Sequence, residues 1–297
     1  MDPASTHGLW ADLHRPDLSP AEADFTVIGV PYDGAACARK GAALGPERIR
    51  FWSTHLTPYS EDRVRLGDIR VRDLGDIPVT DQQRDFEIVR DKVASLPNVP
   101  IVLGGDHSIS IPVFQAQRER YRDQRLDVLW VDAHPDLCDV FTGSKLSHAC
   151  VLRRALEFGI AAQDVCLVGV RSWEDQEIDL IENCGLNVYS AAEVAERGMR
   201  SIAARAYSKL SGCDAVHISL DIDCLDPAFA PGTGIPDAGG LTSREVITLI
   251  KLLRGLPLVG LDVVEVSPPV DPSEATVFAA LKIIMEYIAV FARGRKS

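Results

Sequence analysis

Three stretches of this sequence end an apolar run on acids and imidazoles at close spacing. IVLGGDHS supplies Asp106 and His107, VLWVDAHPD supplies Asp132, His134 and Asp136, and VHISLDIDCLDP supplies Asp221, Asp223 and Asp226. In a strand, alternate residues point the same way, so Asp132 would share a face with His134, and Asp221 with Asp223. Brought to one crevice, these ends would pack at least four carboxylates together. Their repulsion would push the pKa values up. Divalent cations remove that conflict. Mixed carboxylate and imidazole ligands suit Mn²⁺, with Fe, Co, Ni or Zn as alternatives. Mg²⁺ fits less well because it favours oxygen. A lone Asp after a strand is usually a cap, and Asp226, before Pro227, reads as one. Asp106 reads as a cap or as support behind the ligands. As a set, acid and imidazole at three strand ends point to metal.

Short β-branched runs must position these residues: DFTVIGV, RVRDLGDI, VPIVLGG, LDVLWVDAH, DVCLVGV, LNVYSAAEV, AVHISLDID and LPLVGLDVVEV. Amphipathic stretches such as QRDFEIVRDKVASL, SHACVLRRALEFG, RSIAARAYSKL and SREVITLIKLLRG lie between them. Continuous apolar strands alternating with helices imply an α/β fold with a parallel sheet covered on both faces. In such sheets, ligands bind beyond the carboxyl ends of the strands. ATVFAALKIIMEYIAVFARG reads as a long, buried closing helix. No repeat or composition break divides the chain. The expectation is one domain over 23–297, preceded by a loosely held arm over 1–22.

The chain has 297 residues, 46% of them apolar and 25% charged, as in ordinary soluble proteins. A formal net charge of −12 argues against nucleic acid and is compatible with a cationic substrate. Seven Cys without a CxxC pair read as reduced thiols, with Cys138, Cys150 and Cys224 as small buried fillers. The N-terminus lacks the basic and apolar regions of a signal peptide, and no uninterrupted apolar run is long enough to span a membrane. A cytoplasmic protein is expected. The glycines of GVPYDGAACARKGAALGP form neither a GxGxxG nor a GKS/GKT signature and read as an irregular loop over the site.

The segments GGDHS, DAHPD and SLDIDCLDPAFAPGTGIP resemble the three signatures of the ureohydrolases, the arginase and agmatinase family. GSKLSHACVLRR, GVRS and LDVVEVSPPVDPSEAT are similar too, and the likeness runs from about residue 24 nearly to the end. It implies a three-layer α/β/α fold around an eight-stranded, mostly parallel sheet. It further implies two Mn²⁺ per subunit, a homo-oligomer (trimer or hexamer), and hydrolysis of a guanidino group to urea and an amine. By that resemblance, His107, Asp132, Asp136 and Asp221 would hold one ion. Asp132, His134, Asp221 and Asp223 would hold the other, with Asp132 and Asp221 bridging. Two adjacent ions lower the pKa of a shared water towards neutrality. Asp136 would accept a hydrogen bond from it. Glu265 would pair with the substrate guanidinium. His148, with a pKa near neutral, would protonate the departing amine, or else serve only as a residue at a helix start.

Arginases carry Asn where Cys138 stands, and formiminoglutamases show a first motif of the GGGH type, unlike GGDH here. The chain looks most like agmatinases, although these often have Thr at the position of Ile235. Agmatine, a small cationic guanidino compound, is the expected substrate, with Asp139 or Asp237 greeting its distal amine. Lys145, with Thr142 and Ser144, would instead suit a carboxylate. Arginase, guanidinobutyrase and other guanidino-hydrolase activities stay open, as does a non-catalytic scaffold or regulatory subunit.

Overall fold

Runs of Val, Ile and Leu too apolar to leave either face in water become strands sheltered on both sides. The computed structural model describes residues 7–294. Its strands are β1 (Phe25–Val30), β2 (Val71–Asp76), β3 (Val99–Gly104), β4 (Leu126–Val131), β5 (Val165–Val168), β6 (Asn187–Tyr189), β7 (Ala215–Asp221) and β8 (Leu258–Val264). They form one sheet in the order β2-β1-β3-β8-β7-β4-β5-β6. Every pairing is parallel. The helices are α1 (Gly45–Ser53), α2 (Gln82–Ala94), α3 (Ser110–Arg120), α4 (Val151–Glu157), α5 (Asp175–Cys184), α6 (Ala191–Arg197), α7 (Met199–Leu210), α8 (Ser243–Leu252) and α9 (Ala275–Gly294).

Alternation along the strands divides the core between two faces. Phe25, Val27, Ile101, Leu103, Leu129, Val131, Ile218 and Leu220 pack with residues of α1, α6, α7, α8 and α9. Val30, Val102, Val128 and Trp130 pack with residues of α2, α3 and α4. The result is the expected three-layer α/β/α arrangement. β3, β8, β7 and β4 are consecutive in the sheet, so their carboxyl ends open onto one place.

α9 is long and apolar enough, by length and composition, to cross a membrane, yet 72% of that window is buried inside the protein. It contains Lys282 and Glu286, an ion pair one turn apart, and lies against α1 and α8. It is the closing core helix.

The expected loose arm does not describe residues 7–22. Trp10, Ala11 and Leu13 are buried in the core. Val71 donates its amide to Leu13 O and Arg15 donates to Val71 O, so the segment extends the β2 edge. Trp10 Nε1 donates to Asp73 Oδ2 at 2.8 Å. The large indole and the Leu13 side chain gain too much from burial to stay in solvent. Residues 1–6 of the expected arm lie outside the described residues. Trp10→Phe removes a donor from a buried carboxylate whose charged partner among the described residues is Arg50. It should lower stability by about 1–2 kcal/mol in urea unfolding at an unchanged m-value.

Candidate active site

The site begins where the central strands stop. Gly105 follows β3, and a Cβ there would stand 1.6 Å from Tyr32 O, so only glycine lets this segment pass so close to the loop after β1. Asp106 then caps the 3₁₀ turn His107–Ile109 by accepting from Ser108 N at 3.0 Å. Its other oxygen accepts from Ala35 N at 2.8 Å, which ties down the loop after β1. Burial, with the charge of Glu265 next, raises the Asp106 carboxyl to about 7. Asp106 therefore supports the site from behind. Asp226 is the expected cap, accepting from the amides of Ala228, Gly239 and Gly240.

His107 Nδ1 lies 3.1 Å from Asp132 Oδ2, 3.1 Å from Asp136 Oδ2 and 3.2 Å from Asp221 Oδ2. His134 Nδ1 lies 3.5 Å from Asp132 Oδ1 and 3.2 Å from Asp223 Oδ2. Asp132 thus faces both imidazoles, one oxygen to each. Asp221 Oδ1 accepts the amide of Asp223 at 2.8 Å.

The convergence does not come from strand alternation. β4 ends at Val131 and β7 at Asp221, so Asp132–Asp136 and Asp223 lie on turns. Asp136 reaches inward from a left-handed backbone, φ 50°, sparsely populated for a residue with a side chain.

The donor set fits metal. His107 with Asp132 and Asp136, and His134 with Asp132 and Asp223, each offer ligand atoms within 4.8 Å of one another. His107 Nδ1 and Asp132 Oδ2 are buried and complete no hydrogen bond. Burial, then the charges of Asp223 and Asp132, pushes the Asp221 carboxyl far above the ordinary carboxylate range. Burial works to lower the His134 pKa, but the acids around it carry it up to about 12. Divalent cations relieve this acid crowding, and the buried, unpaired lone pairs are of the kind they bind.

Glu265 follows β8 with φ 62°. Its amide donates to Gly105 O at 2.8 Å, tying the ends of β8 and β3 together. Its Oε1 accepts from His107 N at 2.9 Å and stands 3.4 Å from His148 Nδ1. Burial would lower the His148 pKa, but the hydrogen bond and charge of Glu265 raise it to about 10. This lies above the near-neutral value expected, because a buried carboxylate faces the imidazole.

His134, Asp136, His148, Asp221, Asp223 and Glu265 line one cavity, joined by Cys37, Phe141, Ser172, Trp173, Glu174, Glu177 and Ile235. Asp139 and Asp237 are not among them, contrary to expectation. The Asp139 carboxylate is taken by Arg154 at 2.6 Å and Lys145 at 3.1 Å, which anchors its loop to α4. Asp237 accepts from Arg171 through its carbonyl, and its carboxylate lies 3.9 Å from Arg171. Sequence reasoning missed Trp173, Glu174 and Glu177. Their signal was GVRS: β5 ends at Val168, and residues just past a strand's carboxyl end belong to the crevice. The three cysteines read as fillers are buried.

A family model described as the arginase family matches residues 23–289. The chain is 37% identical to an agmatinase of Bacillus subtilis, covering 92% of this chain and 93% of that one. It is 35% identical to a guanidinopropionase of Pseudomonas aeruginosa, covering 93% and 89%. The proclavaminate amidino hydrolase of Streptomyces clavuligerus superposes with a TM-score of 0.89 at 34% identity over 97% of each chain. Sequence and fold agree: this chain belongs to the arginase family and is a metal-dependent hydrolase acting on guanidino compounds.

Proposed function

We propose that the protein hydrolyses agmatine to putrescine and urea, with two divalent ions, Mn²⁺ by preference. When bound, the ions supply an activated water and neutralise the crowded carboxylates. His107, Asp132, Asp136 and Asp221 would hold one of them, and Asp132, His134, Asp221 and Asp223 would hold the other. Asp136 accepts a hydrogen bond from the attacking water. A guanidinium carbon is a poor electrophile because resonance stabilises it, so orientation matters. Glu265 pairs with the guanidinium and aims its carbon. His148, protonated beside Glu265, gives its proton to the departing amine as the C–N bond breaks. His148→Ala should retain both ions, measured by metal analysis, while kcat falls about a hundredfold or more.

The agmatine reading is carried by the charge of the cavity wall. Beyond Asp136, Asp221, Asp223 and Glu265, the described lining residues include the acids Glu174 and Glu177, and none is Lys or Arg. Burial raises Glu177 to about 7, and its oxygens accept the amides of Leu137 and Glu174, so Glu174 is the acid left at the entrance. Neighbouring cations are engaged elsewhere: Lys145 with Asp139, Arg171 with the carbonyls of Asp223 and Asp237, Arg39 with those of Thr233 and Pro231. A distal ammonium meets acid and the faces of Phe141 and Trp173. The carboxylate of arginine, guanidinobutyrate or guanidinopropionate would be desolvated without a donor, at a cost of several kcal/mol. Steady-state urea release on Mn²⁺-loaded protein tests this. kcat/KM for agmatine should exceed that for each carboxylate-bearing compound by about a hundredfold. An equal or higher value for any of them overturns the assignment, and no urea from any points to a non-catalytic role.

A further inference from the structure

β7 places polar side chains at alternate positions, His217, Ser219 and Asp221, a pattern that ordinarily marks a strand with one wet face. Here that face is dry. His217, Ser219 and Asp262 are fully buried, as is Ser110, and Gln117 is nearly so. Strand register sets Ser219 beside Asp262 of β8, and α3 covers them with Ser110 and Gln117.

The donors and acceptors close in one sense only. The amide nitrogen of Gln117 can only donate, and it lies 3.3 Å from His217 Nδ1 and 3.2 Å from Val259 O. His217 Nδ1 is therefore the acceptor, and its Nε2–H donates to Asp262 Oδ2 at 2.6 Å. Asp262 Oδ1 accepts the hydroxyls of Ser219 at 2.6 Å and Ser110 at 2.8 Å. With its proton directed at Asp262, the Ser219 oxygen turns a lone pair to His107 Nε2 at 2.9 Å. His107 thus carries its proton on Nε2 and presents a bare Nδ1 to Asp132, Asp136 and Asp221. Trp130, stacked on the ring at 4.4 Å, fixes its plane. The pocket is made to measure: a Cβ at Gly260 would stand 2.4 Å from His217 Nδ1 and 2.5 Å from Gln117 Nε2.

We propose that Asp262 and His217 are positioning residues for the metal site, fixing the Ser219 hydroxyl so that His107 offers Nδ1 as a ligand. Metal-binding imidazoles are generally oriented through their second nitrogen, often by a carboxylate. In this chain one hydroxyl stands between the imidazole and the carboxylate. A buried carboxylate with this retinue is seldom favoured over apolar packing for stability alone, which speaks for the orienting task.

The proposal rests on the metal reading and not on the substrate, so its test reads Mn²⁺ uptake by the full chain after removal of bound metal. Calorimetric titration should show two Mn²⁺ per wild-type chain. Asp262→Asn should weaken one of them by about 10–100-fold and leave the other within about threefold. Ser110→Ala strips a hydrogen bond from the same carboxylate without interrupting the path to His107, and should keep both affinities. His217→Ala should repeat the loss, and His217→Gln, whose amide can still donate to Asp262, should restore most of it. Wild-type uptake by both Asp262→Asn and His217→Ala overturns the proposal. So does an equal loss in Ser110→Ala, which would mark general loosening of the core. Should Asp262→Asn not fold, His217→Ala against His217→Gln decides: equal affinities overturn the proposal, and weaker binding by the alanine variant supports it.

Discussion

Asp132→Asn is expected to abolish turnover, lowering kcat by about a thousandfold or more, and to leave neither ion tightly held. The reason is position. Asp132 Oδ2 is 3.1 Å from His107 Nδ1, and Asp132 Oδ1 is 3.5 Å from His134 Nδ1, so one carboxylate serves both ligand groups. The amide is nearly the same size but carries no charge, and its nitrogen offers no lone pair. Loss of a ligand common to both ions forfeits several kcal/mol, and each 1.4 kcal/mol is about tenfold. Asp223→Asn is the comparison. Asp223 joins only the His134 group, so that variant should keep one tight ion. Metal content after dialysis and urea release, measured on the same samples, check both. Two ions retained by Asp132→Asn would show that it is not shared.

Glu265→Gln should keep both ions and lose about 10²–10³ in kcat/KM. Its carboxylate is buried, so pairing with a guanidinium occurs away from water, where charge-assisted hydrogen bonds are strong. Gln preserves the acceptor for His107 N, now 2.9 Å from Glu265 Oε1, so the turn after β3 should hold. What it removes is the negative charge facing both substrate and His148. The His148 pKa, held at about 10 by Glu265 against the opposing effect of burial, should then fall. The alkaline limb of the rate profile should move to lower pH, because the acid form of His148 would be lost sooner as pH rises. A Glu265→Gln variant with wild-type kcat/KM, or one that sheds metal, would assign the residue a different role.

Much of this was legible in the residues. Short β-branched runs announced all eight strands, and the inner ones are largely apolar along their length because both of their faces are buried, whereas the edge strand β2 carries Arg72, Asp73 and Asp76. His107, Asp132, His134, Asp136, Asp221 and Asp223 stood out because acids and imidazoles at strand ends lie where parallel sheets bind ligands. Local pattern also marked Asp226 as a cap, since one of its oxygens engages the amide of Ala228 two residues on, while the other reaches Gly239 13 positions away.

The tertiary structure decided which polar residues face one another across distant segments. The sequence placed Asp132 and His134 on a strand face, but they meet on a turn after β4, because the strand pairing with β5 and β7 ends at Val131. Asp139 looked available to the substrate until the fold brought Arg154 to it from α4. Trp173 and Glu174 lie just past GVRS and became cavity wall through the path taken after β5. Residues near the N-terminus read as a loose arm, yet Trp10 found Asp73, 63 positions away. Hydrophobic periodicity and motif spacing are local and can be read along a chain. The partner of a charge, and whether it looks into a cavity or into a salt bridge, depends on packing between segments far apart in sequence, and only the folded chain supplies it.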